Sequence, residues 1–384
     1  MKQTFLMLAA ISGALLTGCS NKEIASVDNL SQNAISFHVV GNAAETRATP
    51  ITPSNLTTTD FDVFAYTADG TAFMGKADTD WAHDGVKIVY KDDKWDYDDP
   101  NDLHYWPTEA LDFYAVSPGS VSDGKEGMHY LWNFNHNSQK IYYTCFDEYN
   151  KEITDQDVHA NHDVMYGIAK NQTKAMNGGV VKFTFKHILS QVVFKAKTEL
   201  ATMNVEINSI KIQNVKIHGV FTLPADAATI PTTTNNWVAD NSPISLTTVI
   251  MNAAIAVNSN SDVVDISSET PILTIPQTLT EWAVKVADTK KIENAKAAGQ
   301  SYLEISCKIQ QSGVYLCGSA DAYETIYVPF GASWEPGKRY IYTLIFGGGY
   351  DADGNAILKP IEFDAETTDW VDDPNNDPNN LIEL

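Results

Sequence analysis

The sequence predicts an all-β protein built as two β-sandwich domains in tandem with few short helices. Apolar and polar residues alternate in many short runs, turn-forming residues separate those runs, and a single stretch carries both a helical start and a helical stop. The chain has 384 residues, more than one domain usually holds, so two domains of about 150 to 180 residues are expected.

The chain opens with Lys2, an apolar run from Phe5 to Leu16, and then Thr17-Gly18-Cys19. A short positive region, an apolar core and small residues before a cysteine read as a secretory signal over residues 1–18, with Cys19 as the lipidated residue. An apolar run of about 12 residues is too short to cross about 30 Å of hydrocarbon, and no longer run follows. The body after Cys19 is therefore expected to hang on a lipid tether.

Residues 19–33 are polar and small. Ile35, Phe37 and Val39 then alternate with Ser36 and His38, the pattern of a half-buried strand. Gly41 to Pro50 follows as an exposed, cuttable linker that contains Arg47 and Ala48. Residues 19–47 thus form a tether and a first strand, ahead of an N-terminal domain at 48–200.

Within that domain Phe61 to Tyr66 alternates and meets Asp69-Gly70, a hairpin signal that would pair Tyr66 with Phe73. An acidic and aromatic run lies between Tyr90 and Asp102, and a strand from Leu111 to Val116 is stopped by Ser117-Pro118-Gly119. Strands are expected at Val180–Phe185 and Gln191–Lys197, the second with Val192, Phe194 and Ala196 on one face and Lys195 and Lys197 on the other. The pattern relaxes near Thr198 to Asn204, which sets the expected boundary to a second domain at 201–371.

There Ile210 and Ile212 alternate, Asn214 breaks the phase, and Val215, Ile217 and Phe221 resume, which predicts a bulge or turn. Residues 225–271 are rich in Thr, Asn, Ser and Ala and read as long loops with short strands. A helix is expected from Asp288 to Ala298, capped by Asp288 or Thr289 and stopped by Gly299. Strands follow at Tyr302–Ile309, Val314–Leu316, Ile326–Val328, Tyr340–Phe346 and Ile357–Phe363, and residues 372–384 read as a disordered or strand-donating tail.

Charge excludes one class of partner. With 26 basic and 49 acidic residues, net -23, the chain would be repelled by nucleic acid. Of four cysteines, Cys19 is assigned to lipid, which leaves Cys145, Cys307 and Cys317. A three-residue loop at Gln311-Ser312-Gly313 would place Cys307 opposite Cys317, a loop one residue shorter would not, and buried free thiols are the preferred reading.

Separated motifs add a resemblance. They are Thr46-Arg47-Ala48, Tyr105-Trp106-Pro107, Leu111-Asp112-Phe113-Tyr114-Ala115-Val116-Ser117-Pro118, Asp163-Val164-Met165-Tyr166 and Phe185-Lys186-His187-Ile188-Leu189-Ser190-Gln191-Val192. Ile275-Pro276-Gln277, Trp334-Glu335-Pro336-Gly337-Lys338-Arg339-Tyr340 and Trp370 continue the series. In order and spacing they resemble the fimbrillin-family lipoproteins of the Bacteroidota, the type V pilins.

The resemblance implies two transthyretin-like, Greek-key sandwiches and a non-enzymatic subunit of a surface fimbria. It implies export as a lipoprotein of the outer membrane through Cys19, and cutting by an arginine-specific protease, which maps to Arg47 and Ala48. The first strand, with Ile35, Phe37 and Val39, would then leave a groove for a strand of another subunit in a homo- or hetero-polymer supporting adhesion to a host or bacterial surface. Pro374 and Pro378 interrupt the tail before Leu381-Ile382-Glu383-Leu384, so Ile357–Phe363 is a second candidate donor.

No catalytic residue, cofactor or metal site is assigned. His159 and His162 lie beside Asp157 and Asp163 without a third ligand at zinc-motif spacing, and His187 has no catalytic companion in sequence. Asp351-Ala352-Asp353-Gly354-Asn355 imitates a calcium loop with its glycine misplaced, and makes a good hairpin turn. No Gly-Xaa-Ser-Xaa-Gly elbow and no phosphate-cradling loop is present. The alternative function is a surface-anchored, unpolymerised lipoprotein that binds glycans through Trp95, Tyr97 and Trp106 over a run of aspartates.

Overall fold

The computed structural model describes residues 33–39, 56–75, 82–120, 131–143, 163–216, 218–240, 244–267, 271–347, 349–357 and 362–369. Cys19, Arg47, Ala48, Cys145, His159, His162, Trp370 and the tail 372–384 lie outside the described residues.

Strands are numbered along the chain. The largest sheet has nine, in the order β10 (Val180–Phe183), β1 (Ser36–Val39), β5 (Lys94–Tyr97), β4 (Val86–Lys91), β2 (Phe61–Thr67), β6 (Leu111–Ser117), β9 (Met165–Gln172) and β11 (Lys186–His187), with β3 (Ala72–Met74) paired to β2. Alternation sends Phe61, Val63 and Ala65 to one face, where they meet Phe113, Val181 and Phe183 in one apolar core. A Cβ added at Gly167 on β9 would lie 2.9 Å from the Phe183 ring on β10. Strands near opposite ends of the order thus touch across the core, so this sheet curls over on itself.

The other face carries Phe64, Tyr66 and Tyr114 against a four-stranded sheet of β15 (Trp237–Ala239), β14 (Gly219–Thr222), β8 (Lys140–Tyr143) and β7 (Trp132–Asn135). Together these sheets form the first sandwich.

In the second sandwich, β17 (Val264–Asp265), β12 (Ser190–Thr198), β24 (Lys338–Phe346) and β25 (Glu362–Asp369) run in that order, with β18 (Ile272–Thr274) also on β12. Facing them are β16 (Ile244–Val257), β13 (Met203–Val215), β20 (Tyr302–Gln311) and β21 (Val314–Cys317), with β22 (Glu324–Pro329) also on β20. Val192, Phe194, Ile210, Ile305, Val328 and Leu344 lie in the core between them. A small ribbon, β19 (Thr278–Leu279) with β23 (Ala332–Ser333), completes the strands. The described α-helices are Thr233–Asn236 and Ile292–Ala297, so the fold is all-β.

Several expectations change in three dimensions. A single boundary at 200 does not divide the sheets: β12 precedes it yet pairs with β24, and β14 and β15 follow it yet pair with β8 and each other. The chain enters the second sandwich, returns to the first and enters the second again. Residues 225–271 contain the 14-residue strand β16, not only loops and short strands. Of the strand expected at Ile357–Phe363, Ile357 lies outside any strand, residues 358–361 lie outside the described residues, and Glu362 and Phe363 belong to β25.

The helix is shorter than Asp288–Ala298. Trp282 Nε1 donates to Thr289 O (2.7 Å) and Thr289 Oγ1 donates to Ala283 O (3.0 Å), so this candidate cap is held in the preceding loop and the helix starts at Ile292. Gly299, at φ +69°, ends it as expected. In the β2–β3 hairpin the Asp69 carboxylate accepts from Thr71 N (3.1 Å) and from the Thr67 hydroxyl. The tightened turn pairs Tyr66 with Ala72 and passes over Phe73.

The β20–β21 hairpin turns on Ser312-Gly313, so Cys317 faces Ile309 rather than Cys307, and both thiols are free and buried. Asn214 takes a left-handed φ of 60° at a register shift of β13, as its break in phase predicts.

Candidate functional site: an inserted strand and the seam between sandwiches

β1 is the shortest route from the sequence pattern to a site. Four residues cannot bury much by themselves, so their value depends on where they lie. β1 lies inside the nine-stranded sheet, parallel to β10 from Ser36–Val180 to Val39–Phe183 and antiparallel to β5 at Phe37–Trp95. It is not an edge strand. Its two neighbours meet only through it in the sheet order.

The alternation places Ile35, Phe37 and Val39 in the core, 1 %, 5 % and 7 % exposed, and leaves Ser36 and His38 outside. The Phe37 ring stacks on Phe183 at 6.2 Å and meets Phe61, Tyr97 and Phe113 edge-on at 5.8 to 6.4 Å. Burial of the strand corresponds to about 1.5–3 kcal/mol per large apolar side chain. Such aromatic contacts add about 0.5–1.5 kcal/mol each.

The entry to β1 is gripped by the Tyr105-Trp106-Pro107 motif. Trp106 N donates to Asn33 O (2.9 Å), Asn33 Nδ2 to Trp106 O (3.3 Å), and Ile35 N to His104 O (2.9 Å). Tyr97 Oη donates to Ile35 O at 3.1 Å, and burial holds the Tyr97 phenol protonated well above the usual tyrosine range. The ring nest of Tyr97, Phe113 and Phe183 was not singled out by sequence. Tyr97 is read from sequence as a sugar-stacking candidate, Phe113 falls inside a resemblance motif and Phe183 in the strand expected at Val180–Phe185, but no local pattern shows that the three meet at Phe37.

The proposed glycan platform does not form. Trp95 and Trp106 are 7 % and 6 % exposed, Tyr97 faces β1, and the Trp106 Nε1 donates to Gly179 O (2.9 Å). The aspartates surround a hairpin whose Trp95 and Tyr97 are buried while Tyr90 stays exposed, with Asp92 and Asp93 as its left-handed turn residues.

His187 Nδ1 lies 2.7 Å from Oδ2 of the buried Asp163, a pair that joins two resemblance motifs. Among the described residues no group of three His, Cys, Asp or Glu side chains could hold a metal. The Asp351 carboxylate accepts from Asp353 N (3.0 Å), Asn355 N (2.8 Å) and Asn355 Nδ2 (3.0 Å), and its own turn occupies it. No helix among the described residues is long and apolar enough to cross a membrane.

The remaining motifs converge between the sandwiches. Ile188 N donates to Val164 O (3.0 Å), Gly337 N to Leu189 O (2.8 Å) and Ser190 Oγ to Glu335 O (2.8 Å). Trp237 Nε1 donates to Ile188 O (2.9 Å), Thr233 N to Glu335 Oε2 (2.6 Å), and Gln277 bonds both Lys216 N and Lys216 O (3.0 and 2.7 Å). Residues far apart in sequence thus sew one crossing region.

A family model described as fimbrillin-like matches residues 46–370. The chain belongs to the fimbrillin-like family. The fimbrillin match begins beyond β1, so the strand just described precedes the shared body. A fimbrial protein from Bacteroides vulgatus has a similar fold at 14 % identity, covering 88 % of this chain and 100 % of that one, TM-score 0.51. A putative cell adhesion protein from Bacteroides eggerthii aligns at 13 % identity over 88 % and 96 % of the two chains, TM-score 0.45. The tip fimbrial protein Mfa3 from Porphyromonas gingivalis aligns at 10 % identity over 88 % and 100 %, TM-score 0.38. No curated protein sequence matches this fimbrillin.

Proposed function

We propose that this fimbrillin is a non-enzymatic structural subunit of a cell-surface fimbria that supports adhesion. In this reading it is exported as a lipoprotein through Cys19, held in the outer membrane, cut after Arg47 by an arginine-specific protease, and polymerised with like or unlike subunits by strand exchange. The observation that carries the reading is the position of β1 inside a sheet, flanked on both sides.

Removing an edge strand exposes one ladder. Removing β1 exposes two, on β10 and on β5, together with the pocket vacated by Ile35, Phe37 and Val39. Unpaired ladders and an apolar slot accept an incoming strand that alternates large side chains at the same spacing. The uncut chain fills the slot itself, so a cut at Arg47–Ala48 is the step that frees it. Until the cut, the lipid on Cys19 and the plug on β1 belong to one removable segment.

β25 occupies a place in its own sheet beside β24. That supports the tail, residues 372–384, as the donor over Ile357–Phe363.

The test is to treat the purified chain with an arginine-specific protease, sequence the new N-terminus and follow mass by light scattering and electron microscopy. The expected result is a body starting at Ala48 that forms filaments. A body that starts at Ala48 and stays monomeric, or one cut elsewhere, overturns the proposal.

A further inference from the structure

The outward face of the second sandwich carries a cavity of about 450 Å³. Alternation builds its floor: Ile212, Leu303 and Val328 point into the core, so their neighbours Gln213, Tyr302, Glu304 and Tyr327 point out. Register sets them side by side, Gln213 opposite Tyr302 and Glu304 opposite Tyr327. The two tyrosine rings meet edge to face at 5.9 Å.

Gln213 is buried, and its Nε2 donates to Glu304 Oε2 at 3.0 Å, which fixes the carboxylate. Glu304 Oε1 has no hydrogen-bond partner among the described residues. Burial together with the Glu304 charge raises the Tyr302 phenol to about 12 and the Tyr327 phenol in the same direction, so both hydroxyls stay protonated and able to donate.

The rim is pinned to the floor. Ile292 N donates to Ala352 O at 3.0 Å, which ties the short helix to the turn at 351–355, and Lys291 Nζ lies 3.0 Å from Asp353 Oδ1. Trp282, Ala295, Tyr302 and Tyr350 form a small core beneath that corner. The walls are therefore set before any ligand arrives.

The lining selects a chemistry. Lys291 and Lys296 stand against Glu293, Glu304 and Asp353, two positive charges against three negative, net -1. Phosphate, sulfate and carboxylate ligands are repelled by that balance. A purely apolar ligand would strip water from a fixed carboxylate without replacing its bonds. A neutral polyhydroxylated ring satisfies both requirements: hydroxyls bond Glu304 and the tyrosine hydroxyls, and the C–H face lies on Tyr327. The volume lies within the range of about 300–1,000 Å³ usual for small-ligand pockets.

We propose that this cavity binds one neutral sugar residue of a glycan, with Glu304 as the hydroxyl acceptor and Tyr327 as the ring platform. The site is in the second sandwich and the β1 slot in the first, so binding does not depend on cleavage or polymerisation.

Saturation-transfer NMR on the purified, uncut chain with a panel of neutral methyl hexosides and methyl N-acetylhexosaminides tests it. At least one neutral sugar is expected to give transfer, and an N-acetylneuraminic acid glycoside little or none. Glu304→Gln keeps the size of the side chain and is expected to weaken binding about tenfold, the loss of one charge-assisted hydrogen bond. Tyr327→Ala is expected to abolish transfer, with a thermal melt to establish that it folds. If Tyr327→Ala unfolds, Glu304→Gln alone decides. No transfer from any neutral sugar, equal transfer from the anionic sugar, or unchanged binding in Glu304→Gln overturns the proposal.

Discussion

Each sandwich contains a strand drawn from one end of the described chain, and the two are held in opposite ways. β1 has four residues, partners on both sides and two side chains in the core, with Ile35 just ahead of it adding a third. β25 has eight residues, pairs along its whole length with β24, has no second partner among the described residues, and exposes Asp364 to Thr367. Length therefore does not measure a strand's importance. A short strand inserted between others contributes core and closes a sheet, whereas a longer strand laid on an edge contributes chiefly its backbone ladder.

The sandwiches also differ in buried charge. Asp62 and Asp163 are the buried carboxylates among the described residues, and both belong to the first sandwich. Of these, Asp62 in the sandwich that holds β1 has its carboxyl raised by burial, which links the stability of that sandwich to pH.

The largest effect is expected at the plug. Phe37→Ala removes a ring in contact with Phe61, Tyr97, Phe113 and Phe183, and truncation of a buried Phe costs about 3–5 kcal/mol. Urea denaturation of the uncut chain checks this. A loss below about 1 kcal/mol would mean that the first sandwich is complete without β1, and the contrast with β25 would collapse.

Asp62 tests the second contrast. Its Oδ2 accepts from Ser120 N (3.1 Å), while neighbouring Asp60 is paired with Lys87 (2.6 Å). Burial, opposed by that hydrogen bond and by Lys87, raises its carboxyl from 3.8 to about 7. As pH rises from about 4 to about 7 the unfolded chain releases this proton before the folded chain does, so stability falls through that window and is level above it. Three pH units at about 1.36 kcal/mol each set an upper limit of about 4 kcal/mol. Asp62→Asn stays neutral, and the difference between its stability and that of the parent is expected to grow from pH 4 to pH 7. A pH-independent difference would remove Asp62 as the cause.

What could be read from sequence follows from what each signal depends on. The alternation at Ile35, Phe37 and Val39 is a local property, and it foretold the strand and its buried face. Its insertion between β10 and β5 depends on residues about 60 and 145 positions away, and no local period encodes them. β16 escaped because Thr, Asn and Ala interrupt its apolar residues, so the 244–257 stretch lacks a clear period of two. The expected boundary at 200 failed for a related reason: a relaxed pattern marks a turn, and here the turn between β12 and β13 lies inside one sandwich. Motifs were visible as separate matches, but their common place at the seam appears only when Ile188, Gln277 and Glu335 are brought together.

That seam supplies a third, smaller test. Gln277 is buried and its amide spans the crossing at Lys216, with a further bond from Nε2 to Ile275 O (3.1 Å). Gln277→Ala leaves those backbone groups unpaired at about 1–3 kcal/mol. Calorimetry is expected to show a lower midpoint and separation of the two sandwiches into distinct transitions. A single transition at the parent midpoint would show that packing alone joins them.

The smallest effect is expected on β25. Glu366 stands opposite Ile341 in the ladder, but its side chain is exposed and enters no described ion pair. Removing it leaves the backbone ladder to β24 intact, and an exposed substitution of this kind changes stability by less than about 0.5 kcal/mol. Glu366→Ala is therefore expected to match the parent in urea while Phe37→Ala, in a strand half as long, loses several kcal/mol. If Glu366→Ala costs as much as Phe37→Ala, side chains on the outer strand carry load that its exposure does not reveal.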